Sequence, residues 1–426
     1  MLIGGRFVSA ACGLVQVPFA MAYLGTEAFG LWAALSGFLW TLGILDGGLG
    51  FALQNRLARL LATRREAEAA ALARRGKHWL WVAAIGVLAM GIPLAYVLPW
   101  ADWLGVHDPT LRAQTPLAIA TMVGIAALLL PLAISARIAA ARQETWLTGL
   151  WSALGSGASL IVLVACVQLS LPLAALVAAA GALPLVLYLG LALHLSARKS
   201  AVAQPAGIVA VDMKGIAMES VLFFVPQASA ALVSSFVPML IALFAGSAAV
   251  APYSVLQRLF GLLLQINTLG LQPTWPAYTH AAARGDSTTA RRLFRLSMLV
   301  TLGGSGSVTL LLAVLARPIV GVWLGGHAPS LDAPLIWSVA GWHAVQCIGQ
   351  PPAMLLNGLG RNAALAAFGW INLVASLLLS LWLSPLWGAV GVIAALAIPY
   401  VGLNLPVVFW ESRRALAAIT RLTPPA

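Results

Sequence analysis

The residue with the clearest chemical potential is an arginine inside an apolar segment. Residues 248–277 read AAVAPYSVLQRLFGLLLQINTLGLQPTWPA, and Arg258 sits about ten residues from the start. At roughly 1.5 Å per helical residue its guanidinium lies about 15 Å deep, near the middle of a bilayer. A charge at that depth is costly, and it is tolerated mainly where it faces a protein interior or a watery cavity. A planar guanidinium fork is suited to a phosphate or diphosphate. The competing reading is structural, an arginine that snorkels or holds helix-end carbonyls.

Other polar side chains share apolar surroundings. Gln257 adjoins Arg258, and Gln16, Gln227 and Asn372 fall at similar depth in their own segments, so these five are the candidate cavity residues. Asp46, in LDGGLG, falls near the end of its segment and is a candidate partner for Arg6, or a carrier of a coupling proton or sodium ion. His343 is about ten residues into its segment, where either interhelical bonding or proton coupling suits an imidazole. Asn267 and Glu219 complete the candidate coupling or gating set. Each of these is also well suited to simple helix-to-helix bonding. No cofactor or metal site is expected: Cys12, Cys166 and Cys347 lie far apart, without metal spacing or a disulfide framework. There is no G-x-x-x-x-G-K-[ST], G-x-S-x-G or H-E-x-x-H.

These side chains must be positioned by membrane helices. Of the 426 residues, 61% are hydrophobic and 8% charged, against about 25% charged in a soluble domain. Twelve apolar spans are expected, near 3–24, 29–53, 77–98, 113–136, 146–168, 172–195, 215–243, 248–276, 293–315, 333–357, 363–384 and 387–410. The start superficially resembles a signal peptide, but its apolar run continues to Leu24 and reads as a first span. The net charge of +12 follows topology. With both termini on one face, that face holds 21 of the 24 Lys and Arg residues, the other holds Arg112 and Arg317, and Arg258 is left between. The bias places both termini in the cytoplasm and points to anionic lipid, not nucleic acid.

The chain divides into an N-lobe of six spans (1–197), a cytoplasmic loop (198–214), a C-lobe of six spans (215–411) and a tail (412–426). The halves are alike. Gly25 and Gly246 open spans 2 and 8, which end in Leu49-Gly50 and Leu269-Gly270, and at that offset Asp46 matches Asn267. Parallel repeats of this kind imply two bundles moving by alternating access.

GTEAFGLWAAL and LDGGLGFALQNRLA resemble the second span of polysaccharide flippases of the multidrug/oligosaccharidyl-lipid/polysaccharide (MOP) superfamily. VAPYSVLQRLFGLLLQINTLGLQPTWPAYTHAAARGD is similar to span 8 of the O-antigen (Wzx-type) members and, in shape, of lipid II flippases; INLVASLLLSLWLSPLWGAVGVIAALA resembles spans 11–12. The resemblance implies a MATE-like, V-shaped pair of lobes that moves an undecaprenyl-diphosphate-linked glycan to the periplasmic leaflet of the inner membrane. It implies that Arg258 faces the diphosphate, with polysaccharide polymerase and chain-length proteins as candidate partners. The alternatives are an ion-coupled multidrug exporter of the same superfamily and, from a different class, a membrane enzyme of polysaccharide assembly. Short far-side loops disfavour the enzyme, and the positive mid-depth charge disfavours a cation exporter.

Overall fold

A computed structural model describes residues 2–41, 49–142, 144–197, 236–359, 361 and 363–421. Among these residues the regular structure is entirely helical, as expected. The predicted boundary loop 198–214 lies outside the described residues. The chain packs as two compact units, Met1–Ala248 and Ala249–Ala426.

The first unit holds α1 (Leu2–Thr41, broken at Gly25), α2 (Leu49–Ala62), α3 (Glu66–Val97), α4 (Trp100–Trp103), α5 (Pro109–Leu132), α6 (Ile134–Ala141), α7 (Thr145–Gln168), α8 (Leu173–Ala197) and α9 (Phe236–Ala245). The second is reached through α10 (Ser247–Leu271) and continues with α11 (Thr274–Ala283), α12 (Ser287–Val300), a π-turn (Thr301–Ser305), α13 (Gly306–Leu324), α14 (Ala333–Gly358), α15 (Ala363–Pro399, broken at Gly388), a second π-turn (Tyr400–Asn404) and α16 (Leu405–Arg421). Eight stretches among the described residues are long and apolar enough to cross a membrane. Two of them, Val8–Gly37 and Ala367–Ile419, run through the Gly25 and Gly388 turns and each carry two predicted spans. Ile161, Met90, Leu193 and Leu310 stand out from the spans into what must be hydrocarbon, because only lipid tolerates such surface at this density.

The turns bear out the internal repeat. Left-handed backbone occurs at Gly25 (φ 71°), Arg64 (57°), Gly105 (59°) and Ser170 (51°) in the first half. In the second it occurs at Gly246 (83°), Gly285 (67°), Gly325 (57°) and Gly388 (55°). The first three pairs are 221, 221 and 220 residues apart (246 − 25, 285 − 64, 325 − 105) and the last 218 (388 − 170). Gly25 and Gly246 each break the helical path at a positive φ, which a side chain would strain.

Two helices begin earlier than the apolar pattern indicates. α3 starts at Glu66 and α12 at Ser287, ahead of the spans expected from 77 and 293. A helix satisfies its own backbone, so it need not stop at the membrane surface. Asp286 caps α12 by accepting from Thr289 N at 2.9 Å, and Arg65 clasps Glu68 with two bonds of 2.6 Å at the start of α3.

Inside the first unit, α1, α7 and α8 are joined by hydroxyl and indole bonds. Gln16 Nε2 donates to Ser159 Oγ (3.1 Å), which donates to the carbonyl of Ala179 (2.7 Å). Trp32 Nε1 donates to Leu176 O at 2.9 Å. α7 and α8 touch closely enough that a Cβ on Gly155 would strike the carbonyl of Leu183, the small-residue packing expected where lipid supplies no hydrophobic driving force. In the second unit, α14 packs against α11, α13, α15 and α16, around buried Tyr278, Leu355, Leu416 and Ile419.

Candidate functional site

α10 runs from Ser247 to Leu271, so Arg258 is one residue from its midpoint. The depth read from the sequence is therefore also its depth in the helix. At 100° per residue, Ser254, Arg258, Gly261, Gln265, Thr268 and Gln272 share one face of α10. This stripe is not closed off: Arg258, Gly261 and Gln265 are half-buried, and a Cβ on Gly261 would meet open space. On the adjoining face, Tyr253 donates its hydroxyl to Gln257 Oε1 at 3.2 Å, and Tyr253 is fully buried. Arg258 thus stands on a polar, partly open face of α10, with Gln257 held beside it.

Asn267 lies nine residues on from Arg258, about 180° round the helix. It is buried, and its Oδ1 accepts hydroxyls from Thr301 (3.3 Å) and Ser305 (2.9 Å), the two ends of the first π-turn. Its Nδ2 meets no acceptor within the described residues. Asn267 locks α10 to the π-turn between α12 and α13, while Arg258 faces the other way.

His343 on α14 is completely buried, with its ring 5.9 Å from that of Phe260 on α10. Its Nδ1 lies 2.8 Å from the carbonyl of Val339. A carbonyl only accepts, so Nδ1 carries the hydrogen and Nε2 is left as an acceptor. That Nε2 has no partner among the described residues.

Asn372 belongs to a second buried polar line. Asn372, Ser376, Ser380 and Ser384 recur every fourth residue along α15, each at most 4% exposed. Ser380 donates to the Ser376 carbonyl at 2.7 Å, while Asn372 Oδ1, Ser376 Oγ and Ser384 Oγ have no partner among the described residues. The second unit therefore holds polar atoms in its interior on three helices.

Four expected residues are not placed: Asp46, Glu219 and Gln227, and the side chain of Arg6, lie outside the described part of the molecule. Gln16 is placed in the α1–α7–α8 bonding described above. The sequence reading missed Ser254 and Gln265, which the 3.6-residue period alone would have lined up with Arg258. It also missed Thr301 and Ser305, whose meeting with Asn267 no spacing encodes. Among the described residues no three His, Cys, Asp or Glu side chains gather as they would around a metal.

No protein-family model and no curated protein matches the sequence. Solved structures do. An inward-facing multidrug-resistance MATE-family transporter of the MOP superfamily matches with a TM-score of 0.79 and 12% identity, over 98% of this chain and 96% of that one. The lipid II flippase MurJ, in an inward closed conformation, matches with a TM-score of 0.75 and 11% identity, over 98% and 89%. A MOP-superfamily transporter from Pyrococcus furiosus, described as having a binding pocket of reverse polarity, matches at 0.60 and 15%, over 96% of both chains. This chain has the fold of these MATE-family and MurJ structures. Within that fold it is a multi-pass membrane protein whose neighbours are transporters and flippases.

Proposed function

We propose that this protein is a flippase for a polyprenyl-diphosphate-linked oligosaccharide. It would move this cargo from the cytoplasmic to the periplasmic leaflet of a bacterial inner membrane during surface polysaccharide synthesis. The observation that carries the reading is Arg258, a cation at the midpoint of α10 on a half-open polar stripe. A guanidinium there gives a doubly bonded resting place to a diphosphate and removes much of the cost of drawing that charge through hydrocarbon. The glycan would occupy the polar interior while the lipid tail stays in the bilayer. Alternating access moves the site between leaflets, and the basic-rich face is cytoplasmic. Proton or sodium coupling through Asp46 or His343, with Arg6, Glu219 and Asn267 as gating partners, belongs to the same proposal, as do polymerase and chain-length proteins as partners.

The test is transport of a fluorescent undecaprenyl-diphosphate oligosaccharide in proteoliposomes. Arg258→Ala is expected to lower the initial rate by about ten-fold or more, the loss of one charge-assisted bidentate contact, and Arg258→Lys to keep part of it. An unchanged rate in a normally folded Arg258→Ala protein rejects the assignment. A second reading, an ion-coupled multidrug exporter, is favoured by the MATE-family neighbours. Efflux of a cationic dye with no movement of the lipid-linked glycan would establish it instead.

A further inference from the structure

α12 is two-faced. Ala290, Leu293 and Phe294 pack into the core with Tyr278, Leu355 and Leu416, and Ser297 is buried on the same side. The opposite side carries Arg291, Arg292 and Arg295, all exposed. Together with Ser287 and Thr288 these arginines line an open groove of about 500 Å³, whose deeper end is formed by Leu296 and Leu299. The change from charge to hydrocarbon is abrupt. Arg295 is followed at once by Leu296 (56% exposed), and Leu299, Val300 and Leu302 continue the exposed apolar surface. This is the profile a phospholipid presents at its glycerol: anionic headgroup outside, acyl chain inside.

Arg292 and Arg295 receive no acid from their own helix. Residues 287–300 contain no Asp or Glu. The Asp286 carboxylate is turned to the helix end, where Thr289 N donates to it, so the cap is occupied by the protein itself. Glu411 on neighbouring α16 lies 3.8 Å from Arg361 and 3.5 Å from Arg414. The corresponding place in the first half is built differently: α3 opens with Glu66 and Glu68, and Glu68 is clasped by Arg65.

We propose that Arg292 and Arg295, on the exposed face of α12, bind the phosphate of an anionic membrane phospholipid, with an acyl chain lying along Leu296 and Leu299. Guanidinium forks bind phosphate with directional paired bonds. Basic residues at the membrane surface favour anionic over zwitterionic headgroups in a salt-dependent way. The site is independent of the cargo assignment, because it is read by binding and not by transport.

The experiment uses the purified full-length protein in detergent, with bound lipid counted by native mass spectrometry. The probes are phosphatidylglycerol, phosphatidylcholine of the same chain length, and inorganic phosphate as competitor. Phosphatidylglycerol should be retained at least about ten-fold better than phosphatidylcholine, and the preference should fall as salt rises. Arg292→Gln with Arg295→Gln should remove it, and Arg292→Lys with Arg295→Lys should keep most of it. Leu296→Ser with Leu299→Ser should weaken lipid retention. Equal retention of the two lipids, salt-independent retention of phosphatidylglycerol by the unaltered protein, or an unchanged preference in a folded Gln pair overturns the site. Displacement of the lipid by inorganic phosphate at comparable concentration, or indifference to the leucine changes, shows a free-anion site and overturns the lipid assignment.

Discussion

The helix that follows Gly25 and the helix that follows Gly246 are two versions of one element. Both leave a left-handed glycine, and both place a large aromatic at the same register on the buried side, Trp32 in one and Tyr253 in the other, each at most 2% exposed. They part on the half-buried side. Where the second helix has Ser254 and Arg258, the first has Ala33 and Gly37. Burial constrains the shared face, because a close-packed interior admits few changes of volume. The other face was open to divergence, and a charge was placed on one copy alone. The lesson is that the repeat explains the scaffold and its asymmetry points to the chemistry.

The largest effect is expected from moving the charge. Arg258→Ala combined with Gly37→Arg should leave transport at the level of Arg258→Ala alone, about ten-fold or more below the unaltered protein. Recovery of the rate would show that the halves are interchangeable and the comparison empty. Asn267→Ala tests a second asymmetry, because α3 runs as one regular helix through the stretch that matches the π-turn. Losing the acceptor of two buried hydroxyls should cost about 1–3 kcal/mol, read as a lower thermal midpoint. Trp32→Phe removes one indole bond to Leu176 O and should cost about 1 kcal/mol, measured the same way.

The smallest effect concerns two helix starts. Asp108 caps α5 through Thr110 and Leu111, whereas Asp332 precedes α14 with no such bond. The Thr110 hydroxyl, and then the Leu111 N–H, hold the Asp108 carboxyl below its usual 3.8. A depressed folded value means the cap's contribution is whole above 3.8 and disappears as pH falls through the folded value. Asp108→Ala should therefore flatten the acid end of the melting curve against pH and, at neutral pH, lower the thermal midpoint more than Asp332→Ala does. Equal behaviour of the two variants would erase the difference between these starts.

Much of this was legible from the order of residues. Apolar runs marked the spans, because hydrocarbon forces every exposed side chain to be apolar. Arg258 stood out for the same reason, and the glycine spacing gave the repeat. What was not legible depends on which helices face each other. Asn267 meeting Thr301 and Ser305, His343 lying against Phe260, and the Asn372–Ser384 line being buried are outcomes of packing, and hydropathy treats a buried span face and a lipid-facing one alike. The early start of α12 was missed because its arginines read as loop, although they form the outer face of an amphipathic helix.

The first π-turn has a consequence for how the gene can change. Up to that turn the buried side of the helix is marked by Ala290, Ser297 and Thr301, and beyond it by Thr309, Ala313, Ala316 and Val320. In an unbroken α-helix the second set would stand about 100° round from the first, one residue out of phase. A π-turn takes up one residue more than an α-turn, and so keeps both sets on the same side. The segment thus carries a spare codon. Deleting a glycine from Leu302-Gly303-Gly304 closes the turn and leaves every later side chain facing as before, whereas a deletion anywhere else in this helix turns the remainder away from its partners.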